Sequence, residues 1–170
     1  MLYFAYGSNM SLKRLRARVP SAEPLGTAQL RGHRLCFHMP SGDGSAKCDA
    51  LDTGKHYDLV WGVIFEIDMD HKPALDRAES LGELYHEKTV RLHTDDGDTH
   101  EAFTYCALVT GEGRHPYSWY HHHVVSGARE FALPAGYVAE IAAVAHIQDP
   151  EAARDAREWL IHDIVMSYES

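Results

Sequence analysis

The sequence predicts an α+β fold in which a small curled or barrel-like mixed β-sheet carries helices packed around it. Strand patterns occupy the first two thirds of the chain and helical patterns the last third, and this segregation is typical of a sheet covered by helices. In addition, two alternating strands flank Asp95-Asp96-Gly97-Asp98, and an Asp-Gly pair favours a tight primed turn between antiparallel strands.

The strands are predicted from short β-rich runs bounded by glycine, proline and aspartate. They are expected at residues 2–6, at 25–38 as one strand or two, at 60–67, and at 85–94 and 99–109 as a hairpin. Residues 39–58 contain Pro40 and three glycines, so this segment is predicted to be mostly loop with a short strand near Asp49–Asp52.

The helices are predicted from apolar residues that recur at three- and four-residue spacing. They are expected at residues 11–18, 70–79, 117–130, 134–147 and 150–167. Ser11 is suited to cap the first helix, and Pro150 is suited to the first position of the last helix.

Composition and charge narrow the class of protein. The 170 residues suit one domain, taken as 1–170, and contents of 45% apolar and 24% charged residues are ordinary for a globular protein. A formal net charge of -9 disfavours nucleic acid and anionic membranes as partners, because both bind basic surfaces. No stretch of the sequence approaches the roughly 18 apolar residues that indicate a membrane span.

The cysteines and the first residues favour a cytoplasmic setting. Cys36, Cys48 and Cys106 are an odd number of cysteines without the spacing of metal ligands, which indicates reduced thiols. The first residues lack the basic segment and the apolar run of a secretory signal.

The segment Tyr3-Phe4-Ala5-Tyr6-Gly7-Ser8-Asn9 holds the clearest candidate site. A short apolar strand stops at Gly7, and a helical pattern begins near Ser11. Backbone N–H groups without partners converge at such a strand–turn–helix corner, where they can bind a carboxylate or a phosphate. Gly7 allows a sharp turn or a close approach of the backbone, and Ser8 and Asn9 add polar side chains.

Three further features can carry chemistry, and each has a structural alternative. Glu79 ends a short predicted helix just before a turn. A glutamate at such a position is either a catalytic residue or an ordinary surface residue. The aromatic cluster at 117–120 can line a site or simply pack in the core. The run His121-His122-His123 cannot place three rings on one ion, because consecutive helical residues point about 100° apart. No metal site is therefore predicted.

Taken in chain order, these segments resemble the γ-glutamylcyclotransferase family, which has an AIG2-like fold. The match rests on the loop Tyr3–Asn9, the strand Trp61-Gly62-Val63-Ile64, the acidic helix Leu75-Asp76-Arg77-Ala78-Glu79, and Gly127-Ala128 followed by Leu133-Pro134. The chain departs from the family pattern at Ser80, where glycine is usual, and over residues 39–58, which have no clear counterpart.

The resemblance implies a γ-glutamylcyclotransferase-like fold and a corresponding enzyme. Such an enzyme cyclises the γ-glutamyl group of a γ-glutamyl amino acid or amide to 5-oxoproline and releases the amine. Glu79 would be the catalytic base and acid, and Tyr85 would support it. The substrate-binding residues that the resemblance and the loop pattern imply are Tyr3, Phe4, Ala5, Tyr6, Gly7, Ser8, Asn9, Tyr85 and Tyr120.

The implied reaction needs a small-molecule γ-glutamyl substrate and no cofactor, because the nucleophile is the substrate's own amine. Two alternatives stay open: action on another γ-glutamyl amine or metabolite, and a small-molecule binding protein of the same fold that has lost turnover. The leaving amine, the pathway and the oligomeric state, a homodimer included, are also open.

Overall fold

The structure, a computed structural model, describes residues 1–163 of the 170. The strands in this part of the chain are Leu2–Ala5 (β1), Glu23–Arg31 (β2), His33–Pro40 (β3), Ala46–Asp52 (β4), Leu59–Glu66 (β5), Tyr85–His93 (β6) and Thr99–Ala107 (β7). The α-helices are Leu12–Arg16 (α1), Lys72–Ala78 (α2), Ser118–Glu130 (α3), Ala135–Ala142 (α4) and Ala152–Asp163 (α5), and short 3₁₀ turns lie at Ser8–Met10 and Met69–His71.

Five of the strands form a closed barrel in the order β1-β5-β2-β6-β7. Neighbouring strands pair antiparallel except at the closure, where β1 runs parallel to β7 with Tyr3 opposite Phe103. Large, fully buried side chains from three of the strands, Phe4, Phe65 and Leu92, contribute to one core. The predicted α+β fold with a barrel-like mixed sheet and helices around it is confirmed.

The strands β3 and β4 form a separate antiparallel ribbon. The short strand expected near Asp49–Asp52 is confirmed, but it begins earlier, at Ala46, so residues 39–58 contain less loop than predicted. β4 pairs with β3 along its whole length, from Ala46 opposite Pro40 to Asp52 opposite His33. The glycines that suggested a loop lie in the connections before and after β4 rather than within it. On β4, the Asp49 carboxylate accepts a hydrogen bond of 2.8 Å from the Ala107 N–H, which ties the ribbon to β7.

The β6–β7 hairpin is confirmed, but its turn differs from the predicted one. Gly97 N donates to Thr94 O at 3.1 Å, and Thr94 N donates to Asp98 O at 3.0 Å. Among residues 94–98 only Gly97 has a positive φ, of 92°, whereas a type I′ turn needs a positive φ at both central residues. The connection is therefore a longer turn in which glycine alone takes the left-handed conformation.

Helix α2 ends in a Schellman motif that fixes the residues after it. Ser80 N donates to Arg77 O at 3.1 Å, and Leu81 N donates to Asp76 O at 3.0 Å. These are the two hydrogen bonds of the motif, and the residue between helix and loop must take the left-handed conformation. Ser80 does so with φ of 51°, and the preceding residue, Glu79, is the C-cap of the helix.

Helix α3 ends in the same motif. Ala132 N donates to Arg129 O and Leu133 N donates to Ala128 O, both at 3.0 Å. Ala132 is exposed and takes the left-handed position with φ of 51°. Both helices therefore place a residue with a Cβ where glycine is normally favoured, which costs free energy of folding.

The three C-terminal helices are confirmed and lie outside the barrel, but the second of them ends at Ala142 and not near residue 147 as predicted. The last of them is described as far as Asp163, so its predicted extension over 164–167 lies outside the described residues. Within residues 1–163 no helix combines the length and the apolar character needed to cross a bilayer.

Replacing Ala132 by glycine should stabilise the protein. We expect Ala132→Gly to raise the free energy of unfolding by about 0.5–1 kcal/mol, because glycine removes the left-handed penalty at some cost in chain entropy. The matched control is Ala139→Gly at an exposed right-handed position of α4, which should lower stability by about 1 kcal/mol. Urea denaturation of both variants measures the difference, and equal signs for the two would refute the assignment at Ala132.

Candidate active site

The loop that follows β1 forms one side of the candidate site. β1 stops at Ala5, and a 3₁₀ turn at Ser8–Met10 comes before α1, which begins only at Leu12. Met10 N donates to Gly7 O at 3.0 Å, so the chain reverses sharply after Tyr6. The N–H groups at the corner belong to the first residues of the 3₁₀ turn, which have no acceptor within the turn itself.

Glu79 forms the opposite side of the site. As the C-cap of α2, it leaves the helix just before the left-handed Ser80, and its side chain is only 17% exposed. Glu79 Oε1 accepts hydrogen bonds from Asn9 Nδ2 at 2.8 Å and from Arg18 Nη1 at 3.2 Å. The carboxylate is thus paired with a cation and held by the loop.

The side chain of Asn9 connects these groups. Besides contacting Glu79, Asn9 Nδ2 donates to the Tyr3 hydroxyl at 3.0 Å, and Asn9 Oδ1 accepts from Arg18 Nη1 at 2.9 Å. Asn9 is buried, and both hydrogens of its side-chain amide and the amide oxygen have hydrogen-bond partners. Arg18 was not identified from the sequence, because it lies in a basic run that is typical of a solvated surface.

Tyrosine side chains form the walls of the candidate site. Backbone atoms of the β3–β4 ribbon orient two of these tyrosines. The Tyr85 hydroxyl donates to Cys48 O at 2.8 Å, and the Tyr120 hydroxyl accepts from Cys48 N at 3.0 Å. The Tyr6 hydroxyl donates to Tyr105 O. Burial raises the pKa of Tyr6, Tyr85 and Tyr120 well above the ordinary value, so these hydroxyls stay protonated at neutral pH.

These groups surround a pocket of about 310 Å³. Its lining residues are Tyr3, Tyr6, Gly7, Ser8, Asn9, Cys48, Glu79, Tyr85, Tyr105 and Tyr120. The structure thus brings together Glu79, Tyr85, Tyr120 and five of the seven loop residues expected from the sequence.

Phe4 and Ala5 do not line the pocket, although they were expected to bind substrate. Both are buried within the barrel, where β1 pairs with β5, Phe4 opposite Ile64 and Ala5 opposite Val63. The resemblance assigned the whole segment Tyr3–Asn9 to substrate binding, whereas of the β1 residues in this segment only Tyr3 reaches the pocket. Their role is to fill the core beneath the site.

Gly7 favours a close approach, but it is the approach of the loop to the β3–β4 ribbon. A Cβ built on Gly7 would lie 3.1 Å from Cys48 Cβ and 3.5 Å from the Tyr120 hydroxyl. Its φ of -112° is not in the left-handed region, so packing rather than backbone strain favours glycine here. The loop therefore sits directly against β4, the strand that the sequence did not predict in full.

Helix α3 packs against the same loop from another side. A Cβ on Gly127 would come within 2.4 Å of Ser11 N and 2.6 Å of Met10 Cβ. Such distances leave no room for a side chain, so glycine at this position lets the helix contact the backbone of the loop. The Gly-Ala pair noted in the sequence thus supports the site without lining it.

Cys48 and Tyr105 line the pocket and were not identified from the sequence. Cys48 lies just before the short strand expected near Asp49–Asp52, in residues predicted as loop, so no signal placed it near the other residues. Burial raises the pKa of the Cys48 thiol to about 12, which keeps it protonated and unsuited to act as a nucleophile. Tyr105 donates to Asp76 Oδ1 at 2.6 Å and so connects the pocket wall to α2.

The histidine run makes separate contacts rather than one cluster around an ion. His121 Nε2 lies 2.8 Å from Ile141 O, and His123 Nδ1 lies 2.5 Å from His162 Nε2. His122 packs on Trp159 with ring centroids 4.7 Å apart. In the part of the chain that the structure describes, no group of three or more histidine, cysteine, aspartate or glutamate residues is arranged to hold a metal ion.

Comparison with known proteins relates this geometry to a family. Residues 59–141, which include Glu79, match the AIG2-like family. The γ-glutamylcyclotransferase of Bos taurus is 31% identical over 140 residues, covering 80% of this chain and 74% of the relative. The γ-glutamylcyclotransferase of Homo sapiens is 29% identical over 147 residues, covering 84% of this chain and 78% of the relative.

A solved structure agrees over nearly the whole chain. A γ-glutamyl cyclotransferase superposes with a TM-score of 0.83 at 25% identity, covering 95% of this chain and 98% of the other. The similarity therefore includes the barrel, the ribbon and the helices around the pocket. With a relative above 30% identity matched over most of both sequences, the chain belongs to the γ-glutamylcyclotransferase family.

Proposed function

We propose that this protein cyclises the γ-glutamyl group of a γ-glutamyl amino acid or amide to 5-oxoproline and releases the amine. The observation that carries the proposal is the partly buried Glu79 carboxylate, held by Asn9 and Arg18 at the edge of a tyrosine-lined pocket. Its family membership supports the same reaction.

The reaction is intramolecular. The α-amine nitrogen of the γ-glutamyl group attacks its own γ-carbonyl carbon, a five-membered lactam closes, and the bond from that carbon to the leaving nitrogen breaks. The attacking nitrogen loses two protons in passing from ammonium to lactam N–H, and the departing nitrogen gains two as it leaves as an ammonium, so the reaction consumes no water. One proton must be taken from the ammonium before the attack and one must be given to the leaving nitrogen as its bond breaks; the others exchange with solvent. Holding amine and carbonyl in contact supplies about 7–11 kcal/mol when such an attack is well oriented.

Glu79 is the group that we assign to both proton transfers. Its carboxylate accepts the ammonium proton and later delivers it to the leaving nitrogen, as a single base and acid can do in sequence. The contacts from Asn9 and Arg18 both reach Oε1, so we assign proton transfer to Oε2. The hydrogen bonds fix the carboxylate orientation before substrate arrives, which avoids reorganisation during the reaction.

The loop and the tyrosines would bind and enclose the substrate. N–H groups around Ser8 and Asn9 would hold the α-carboxylate of the glutamyl group or the oxyanion that develops on the γ-carbon. The Tyr120 hydroxyl accepts from Cys48 N and would use its own proton to donate to the substrate. The Tyr6 and Tyr85 hydroxyls already donate to backbone carbonyls, so they would accept from the substrate and help to exclude water.

The chemistry requires no cofactor, because the nucleophile belongs to the substrate and no oxidation occurs. A small γ-glutamyl molecule is therefore the proposed partner, in the metabolism of γ-glutamyl compounds that includes glutathione. The three cysteines are free thiols, the state that a reducing compartment such as the cytoplasm maintains, and the cytoplasm is the proposed location.

Replacing Glu79 by glutamine should remove the base while preserving the shape of the site. Glutamine can still accept from Asn9 and Arg18 through its carbonyl oxygen, but it cannot accept the ammonium proton. We expect kcat to fall by about 10²–10⁴-fold, the usual contribution of a positioned acid–base group. The measurement is 5-oxoproline release from γ-glutamyl-alanine.

The control for this variant is Glu83→Gln, at an exposed position in the turn after α2. It makes the same chemical change outside the pocket and should leave kcat within twofold, roughly the size expected of a neutral surface substitution. If Glu79→Gln retained a kcat within tenfold of the unaltered protein, Glu79 would not be the base and the mechanism would be wrong.

Activity should not depend on a metal ion. Prolonged dialysis against EDTA should leave 5-oxoproline release unchanged, because neither the nucleophile nor the carbonyl activation in this mechanism uses a metal. Loss of activity that zinc restores would contradict the proposed chemistry.

A further inference from the structure

Helix α2, which carries Glu79 at its end, has little apolar contact with the barrel. It is seven residues long, and among these residues, all of which the structure describes, Leu75 alone is buried. A helix this short is not stable by itself in water, so contacts from its side chains must fix its position. Two charged residues of α2, Lys72 and Asp76, make such contacts.

Lys72 and Asp76 connect α2 to two strands of the barrel. Lys72 Nζ lies 2.7 Å from Asp76 Oδ1 and 2.6 Å from Glu87 Oε2 on β6. Asp76 Oδ1 also accepts a hydrogen bond of 2.6 Å from the Tyr105 hydroxyl on β7. Only 17% of the Lys72 side chain and 25% of the Asp76 side chain are exposed. Solvent therefore screens these contacts less than it screens contacts at an open surface.

The hydrogen bond to Asp76 fixes the direction in which the Tyr105 hydroxyl donates. Its length of 2.6 Å is typical of an O–H donor bound to a charged oxygen. Burial and this hydrogen bond raise the pKa of Tyr105 well above its ordinary value, so the hydroxyl keeps its proton. A phenol has one O–H donor, and here that donor is used by a carboxylate that does not line the pocket.

The ring of Tyr105 is also held in place. It packs edge-on against Phe103 with ring centroids 5.8 Å apart, and edge-on against Tyr3 at 5.9 Å. The Tyr105 side chain lines the pocket in this orientation. Because its proton is directed at Asp76, the hydroxyl oxygen offers the pocket lone pairs only, so it can accept a hydrogen bond but not donate one.

An oxygen that only accepts is suited to a cationic donor. The α-ammonium of a γ-glutamyl group has three N–H donors before it gives up a proton. In the proposed mechanism Glu79 takes one of these protons, and the Tyr105 oxygen can accept a hydrogen bond from another N–H. The negative charge of Asp76 behind the hydroxyl polarises the O–H bond and strengthens the oxygen as an acceptor.

We propose that Asp76 is a positioning residue for the cyclisation, which acts on the substrate ammonium through the Tyr105 hydroxyl. Asp76 does not touch the substrate. It holds the hydroxyl with its lone pairs toward the ammonium, and so fixes the position of the attacking nitrogen relative to Glu79. This inference rests on the proposed cyclotransferase function and adds to it a carboxylate outside the pocket, on the same helix as Glu79.

The first test replaces Asp76. Asp76→Ala should lower kcat/KM for γ-glutamyl-alanine by about 10- to 100-fold, the size of a hydrogen bond to a charged group. Asp76→Asn should give an intermediate value, because its carbonyl oxygen accepts from Tyr105 without a charge. The matched control is Asp70→Ala, at an exposed position before α2, which should leave kcat/KM within about twofold. A kcat/KM within about threefold of the unaltered protein in Asp76→Ala would overturn the inference.

A double-mutant cycle with Tyr105→Phe separates the positioning role from simple support of α2. Without the hydroxyl Asp76 has nothing to orient, so adding Asp76→Ala to Tyr105→Phe should change kcat/KM by less than about twofold. The contact of Asp76 with Lys72 remains in the Tyr105→Phe background. A role through Lys72 or through the stability of α2 would therefore lower kcat/KM by the same factor in both backgrounds, and that result would refute the positioning role.

Glutaryl-alanine tests whether the ammonium is the group involved. This compound is γ-glutamyl-alanine with the α-amine replaced by hydrogen, so it cannot cyclise and serves as a competitive inhibitor. Its inhibition constant should agree within about twofold between the unaltered protein and Asp76→Ala, because Tyr105 has no ammonium to accept from. A rise in this constant equal to the loss of kcat/KM would show a general disturbance of the pocket and would overturn the inference.

The variants should keep the fold, because alanine favours a helix and asparagine has nearly the size of aspartate. Thermal unfolding followed by circular dichroism checks this for each protein. The outcomes at Asp76 also separate the inference from the function on which it rests. If the unaltered protein released 5-oxoproline and Asp76→Ala did so equally well, the inference alone would fail. If the unaltered protein released none, the proposed function would fail and the inference with it.

Discussion

The side-chain amide of Asn9 is the group on which the organisation of the site depends. It donates to Glu79 and to Tyr3 and accepts from Arg18. Leaving any one of these buried groups without its partner would cost about 1–3 kcal/mol. The amide therefore holds together β1, the turn after it, the segment after α1 and the end of α2. A loop and a helix terminus that are separated by 70 residues in sequence act as one unit because of this contact.

Much of the fold could be predicted because it depends on local patterns. The apolar run of β5 and the alternation of β6 and β7 indicated a sheet, and helical spacing indicated α3 to α5. The ribbon was predicted only in part, since the glycines on either side of β4 indicated a loop with a short strand near Asp49–Asp52, and no local pattern showed that β4 pairs with β3. Five of the seven loop residues, together with Glu79, Tyr85 and Tyr120, could be placed at the pocket because motifs in order along the chain resembled a known family.

Other parts of the site depend on tertiary geometry that no local pattern carries. Arg18 belongs to a basic run, and only the path of the chain after α1 directs it toward Glu79. The position of Tyr105 depends on how β7 meets β1 at the barrel closure. At Ser80 the sequence departs from the family pattern, which has glycine after the catalytic glutamate, but the local structure does not change. The Schellman hydrogen bonds hold Ser80 in the left-handed conformation that glycine would take, so the turn is kept.

The parallel contact between β1 and β7 also bears on when activity can arise during folding. Tyr3 pairs with Phe103, and bringing such distant residues together loses more chain entropy than forming the β6–β7 hairpin does. Tyr120 lies further along still, on α3. During synthesis, the loop and Glu79 thus leave the ribosome well before the walls that complete the pocket. On the proposed assignment of the active site, activity therefore requires a closed barrel, and partly folded chains would be inactive even when their early strands are formed.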